Sequence, residues 1–152
     1  VATRTPPAFV QEARGAHAVY VPERRHPVEV GADEQQHLVQ WLSKRLGHPL
    51  KAPLLDREGF HLVGGRLLAS AKGEPRALLM YERGDGARVT LHLSALAGEL
   101  AGEQGRFEFA GNGGLETFYW AQGAFGYALS GNVDRATIAR LADAAWAQLT
   151  LP

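Results

Sequence analysis

Between Phe60 and Ser130 the apolar residues of this chain change their spacing, and that change constrains the fold more than any other feature. Upstream, Leu38, Val39, Leu42 and Leu46 recur at helical intervals, with Trp41 and Arg45 at the margins. Downstream of Ser130, Ile138, Leu141, Ala142, Ala145 and Leu149 do the same. Between these stretches Val89, Leu91 and Leu93 alternate with Arg88, Thr90 and His92, the period of a strand. Helices at both ends of a run of strands predict an α+β fold. The expected architecture is a mostly antiparallel sheet of about five to seven strands, with N-terminal and C-terminal helices packed on one of its faces. A chain of 152 residues suits a single domain and can bury a core without disulfides.

Local signals place the elements. Residues 1–16 read as a membrane-proximal linker or helix start, and 17–150 as one domain. Thr5 can cap a first helix with Pro6 at its first position. Phe9, Val10, Ala13, His17 and Tyr20 supply its spacing, and Pro22 stops it. Pro27 confines Val28–Val30 to a sheet edge. Asp33, with Gln36 three residues on, predicts the N-cap of the second helix, and Gly47 and Pro49 its end. Gly64-Gly65, Gly84-Asp85-Gly86 and Gln122-Gly123 each predict a hairpin turn between strand-like runs. Arg106–Phe109 reads as a further strand, and 96–105 as a loop or short helical turn. Asp134 caps the final helix, with Val133 and Ile138 offset as a hydrophobic staple.

Much chemistry is excluded. Sixteen basic residues balance sixteen acidic ones, which disfavours nucleic acid as a partner. Cysteine is absent, and with it disulfides, thiolate zinc sites and Cys nucleophiles. No phosphate loop, dinucleotide fingerprint or Gly-x-Ser-x-Gly elbow occurs. No cofactor and no catalysis are therefore expected. A hydrolase would have to draw on His61 and His92 with Glu108 or Glu116. The chain begins at Val1 and its sole Met is Met80, so a trimmed or processed piece is expected, with any membrane anchor upstream.

Three groups are candidates for binding. Of the six histidines His17, His26, His37, His48, His61 and His92, none is paired at the two- or four-residue spacing that puts two rings on one face. Separate surface or hydrogen-bonded histidines are expected, and no metal site. The aromatic hairpin holds Phe118-Tyr119-Trp120 with Phe125 and Tyr127. Alternation sets Tyr119 and Trp120 on opposite faces, so the ordinary reading is core with helix cover, and the sharper one is a partner groove lined by Tyr119, Trp120 and Tyr127. Glu23-Arg24-Arg25-His26, between two prolines, is a solvated loop or, through Arg24 and Arg25, a contact for a partner.

Beyond these local readings, longer phrases carry a resemblance. They are Val19-Tyr20-Val21-Pro22-Glu23-Arg24-Arg25-His26-Pro27-Val28-Glu29-Val30, then Gln36 to Pro53 with Trp41-Leu42-Ser43-Lys44-Arg45-Leu46-Gly47-His48-Pro49-Leu50, then Gly59-Phe60-His61-Leu62-Val63-Gly64-Gly65-Arg66-Leu67-Leu68. With Ala77-Leu78-Leu79-Met80-Tyr81-Glu82, Thr117 to Trp120 and Phe125 to Gly131, they resemble the extracytoplasmic half of bacterial transmembrane anti-sigma factors. The likeness runs from about His17 to Leu149. It implies a periplasmic sensory or regulatory domain of an inner-membrane protein that controls an alternative sigma factor. The implied partners are an envelope signal, a partner protein or a regulatory protease. The sigma factor itself would be held only by a cytoplasmic segment, often bearing a His/Cys zinc motif, that nothing in this sequence matches. The alternative reading is a periplasmic sensor domain that binds a small ligand or a metal directly.

Overall fold

A computed structural model describes residues 6–23, 27–95, 107–112 and 114–150. Among these residues there are three α-helices and seven strands: α1 (Ala8–Tyr20), β1 (Val30–Gly31), α2 (Gln35–Leu46), β2 (Phe60–Ala69), β3 (Pro75–Arg83), β4 (Arg88–Ala95), β5 (Glu108–Asn112), β6 (Leu115–Gln122), β7 (Phe125–Gly131) and α3 (Arg135–Thr150). The strands form one antiparallel sheet in the order β1-β2-β3-β4-β7-β6-β5. The α+β expectation holds, at seven strands. No helix among the described residues is long and apolar enough to cross a membrane.

Where local signals were strong, the elements follow them. Gly47 closes α2 at φ +81°, a left-handed position that other residues resist, and its N–H donates to the Ser43 carbonyl at 2.9 Å. The Asp134 carboxylate accepts from the Thr137 N–H at 2.8 Å and caps α3. The turns at Gly84-Asp85-Gly86 and Gln122-Gly123 join β3 to β4 and β6 to β7. Among the described residues the two-residue β1 pairs with β2 alone and so forms the sheet edge, as Pro27 implied.

Four expectations need correction. Helix α1 starts at Ala8 rather than at Pro6. Pro7, at φ −58° and ψ 156°, occupies the cap position, and a residue before proline is pushed out of the helical region. Thr5 lies outside the described residues. Asp33 does not cap α2; it sits inside a 3₁₀ turn, Ala32–Glu34, that feeds directly into the helix without a side-chain cap. Gly64-Gly65 is not a hairpin turn. Both glycines lie within the single ten-residue strand β2, at a bulge between Leu62 and Gly64. A Cβ on Gly65 would stand 3.0 Å from Leu38, Leu79 and the Leu78 carbonyl, and one on Gly64 would overlap the Val30 carbonyl oxygen. These glycines let β1 and α2 approach the strand closely. The chain turns back only at 70–74, where the Ser70 hydroxyl accepts from the Lys72 and Glu74 N–H groups.

The fourth correction concerns layers. The helices lie on both faces of the sheet. Leu38, Leu42 and Leu46 of α2 and Ile138, Leu141, Ala142 and Ala145 of α3 pack on Leu79, Tyr81, Val89, Leu91, Leu93, Trp120, Tyr127 and Leu129. Across the sheet, Phe9, Val10 and Ala13 of α1 form a separate, smaller core with Tyr119, Ala121 and Ala128. The reason is that the central strands are apolar on both sides, with β7 buried along its whole length, and each apolar face must be covered.

Candidate functional site

The seam between α1 and the sheet concentrates the buried polar chemistry. Helix α1 presents Phe9, Val10, Ala13 and His17 inward, at helical spacing. The His17 ring is only 2% exposed. Its Nδ1 lies 2.9 Å from the Thr90 hydroxyl and its Nε2 3.3 Å from Asn132 Oδ1. A neutral ring with the proton on Nε2 satisfies both contacts, donating to Asn132 and accepting from Thr90. Burial holds His17 below its ordinary pKa; the Asn132 bond opposes this and nearby Arg14 reinforces it.

Polar contacts run the length of the helix. Arg14 donates from Nη1 to the Ala110 carbonyl at 2.5 Å, the Leu115 carbonyl at 3.1 Å and the Thr117 hydroxyl at 2.9 Å, and so ties α1 to β5 and β6. Glu12 pairs with Arg76 of β3 at 3.3 Å. The Arg66 guanidinium lies 3.8 Å from the centre of the Tyr20 ring, a cation–π contact. Arg88 donates to the Val21 and Glu23 carbonyls at 2.9 and 3.0 Å and pairs with Glu82 at 2.6 Å. A groove of about 390 Å³ follows α1 on the β2–β3 side, lined by Glu12, Ala16, Tyr20, Leu68, Arg76 and His92.

His92 is the unusual member of this seam. It follows Thr90 by two residues on the same face of β4, about 7 Å along the strand. It is 1% exposed, and among the described residues neither of its ring nitrogens has a hydrogen-bond partner. Burial, with a smaller contribution from Arg76, pushes its pKa down to about 3. A neutral imidazole without partners is a costly thing to bury, by about 1–3 kcal/mol per unmade hydrogen bond.

The aromatic candidates are all inside. Tyr119 (6% exposed) lies under α1, edge-on to Phe9 with centroids 6.4 Å apart, and its hydroxyl donates to Glu108 at 2.8 Å. Trp120 (1%) and Tyr127 (4%) stack on the opposite face at 5.3 Å, and the Trp120 indole donates to Gln122 Oε1 at 3.0 Å. Burial pushes the Tyr127 phenol up to about 12. Their burial fits the ordinary reading, core on one face and helix cover on the other. Arg24, Arg25 and His26 lie outside the described residues.

The other histidines are dispersed. His61 pairs with Asp56 at 2.6 Å on the surface, His48 sits edge-on to Phe125, and His37 is exposed on α2. No group of three or more metal-ligating side chains occurs among the described residues. The hydrolase candidates are not brought together. His61 on β2 and Glu108 on β5 are five strand spacings apart, about 24 Å. Glu116 faces α3, where it pairs with Arg135 at 3.5 Å. Sequence spacing gave no sign that His17 and His92 share one seam, because they come from a helix and a strand that only the tertiary fold apposes. Comparison with protein-family models, curated proteins and solved structures finds no match.

Proposed function

We propose that this domain is the periplasmic sensory or regulatory part of a membrane-anchored anti-sigma factor that controls an alternative sigma factor, and that it works by coupling rather than catalysis. The phrase resemblance supplies the identity. The observation that carries the mechanism is the placement of α1. Among the described residues it is the one helix on its face of the sheet, with its own small core and a row of polar contacts. It is also the first helix among the described residues, next to those through which a membrane anchor would connect. Docking or release of α1 would therefore alter the accessibility of the membrane-proximal segment to a partner or regulatory protease, and loss of the anchored protein would free the sigma factor. A few kcal/mol of difference between docked and released forms is enough to shift such an equilibrium. The dispersal of ionisable groups elsewhere supports a non-enzymatic role.

The test is the coding sequence upstream of Val1. About 20 apolar residues preceded by a short cytoplasmic segment are expected. A cleavable signal peptide directly before the domain would overturn the reading.

A further inference from the structure

We infer that α1 is an acid-released clasp: protonation of His17 and His92, buried where α1 meets the sheet, detaches α1 while the core formed by α2, α3 and the opposite sheet face stays folded. The clasp is a property of the fold alone and stands or falls independently of the regulatory reading.

The geometry divides the roles of the two rings. A protonated His17 keeps both contacts, since the Thr90 and Asn132 oxygens can each accept a hydrogen bond. Its charge is opposed by burial and by Arg14. A protonated His92 would have two donors and, among the described residues, no acceptor for either. His92 is therefore the stronger trigger.

The charges around the seam cannot readily absorb another cation. Glu12 of α1 is paired with Arg76 of β3 and Glu82 with Arg88, and Glu108, which accepts from the Tyr119 hydroxyl, lies on β5, three strand spacings or about 14 Å from β4. Arg66 and Arg14 add two further guanidinium groups at the Tyr20 end and the β5–β6 end of the helix. Proton uptake therefore favours the state in which α1 lifts and water reaches the imidazoles. The two-core layout allows this without global unfolding, because Phe9, Val10 and Ala13 make no part of the larger core.

The sign follows from linkage. The docked state holds both histidines below the ordinary value of 6.5, and release restores that value. Docking is at full strength above about pH 6.5 and weakens as pH falls. The docking constant drops by up to about tenfold per pH unit for each histidine released.

The test is amide hydrogen exchange on the full chain, with each rate divided by that of the unfolded chain at the same pH. Between about pH 7.5 and about pH 5, the protection of α1 amides is expected to fall roughly thirtyfold for one fully released histidine. Amides of β4 and β7, which exchange only through global unfolding, share this pH slope but should stay markedly better protected than those of α1 at every pH. His92→Phe, which fills the site with a ring that does not titrate, should flatten the α1 response. Equal protection of α1 and sheet amides at each pH, an α1 protection independent of pH, or an unchanged slope in His92→Phe would each overturn the inference. If His92→Phe does not fold, the comparison of α1 with the sheet in the native chain decides alone.

Discussion

The Tyr81 hydroxyl donates to the Pro53 carbonyl oxygen across 2.7 Å, inside the larger core. This bond fixes the irregular segment between α2 and β2 to the middle of the sheet. The segment has little regular structure of its own, so its backbone groups need such partners. Burial raises the phenol above its ordinary pKa, which keeps it a donor throughout the accessible pH range.

Removing that hydroxyl leaves the Pro53 carbonyl buried without its partner. Tyr81→Phe should lower the unfolding free energy by about 1–3 kcal/mol, with little change in the slope of urea denaturation. An unchanged urea midpoint would mean that the carbonyl finds another partner or that water enters.

The bulge in β2 makes a sharper prediction. Gly64 has φ +152° and faces the Val30 carbonyl with no room for a methyl group. Gly64→Ala should therefore push β1 off the sheet edge at a cost of roughly 2 kcal/mol or more, from backbone strain and the lost β1 pairing. A crystal structure or amide exchange of the variant would show Val30 and Gly31 released from β2. Native β1 pairing at unchanged stability would refute the close-approach account of this glycine.

Overall stability should depend on pH in a defined direction. His17 and His92 have folded pKa values below their ordinary value, so the unfolded chain binds more protons between pH 6.5 and the folded values. Their contribution is complete above about pH 6.5 and is lost as pH falls. Asp85 and Asp134 are also lowered, by the Arg83 and Thr137 hydrogen bonds respectively, so theirs is lost only below the ordinary carboxylate range. The urea midpoint should begin to fall near pH 6.5, with a loss of about 1–2 kcal/mol by about pH 5. A midpoint that stays flat down to about pH 4 would show that the imidazoles are not held neutral by folding.

Local readings in the sequence succeeded where one residue type answers a local backbone need. Gly47 ends α2, Asp134 caps α3, and the Gly84-Asp85-Gly86 turn reverses the chain, each within a few residues of its signal. They failed where the need was set by a distant neighbour. Gly64-Gly65 has the composition of a turn, but its requirement for small residues comes from β1 and from Leu38 of α2. Alternation in the aromatic hairpin allows core or a partner groove; its two faces pack against α1 on one side and, with the stacked Tyr127, α3 on the other.

Apart from β2, where two glycines read as a turn, the amino-acid sequence by itself determined the element types and their order, because hydrophobic period, caps and turn residues act over a few positions. It also determined that no thiol chemistry is available, since cysteine is absent. Only the tertiary structure decided which face each helix covers, because an amphipathic helix specifies a stripe to be buried but not the side of the sheet that buries it. That choice buries the His92 imidazole at the seam with α1, on the side of the sheet that holds His17, although 75 positions separate them in the chain. Their shared burial is a consequence of packing, and so is the chemistry of the seam.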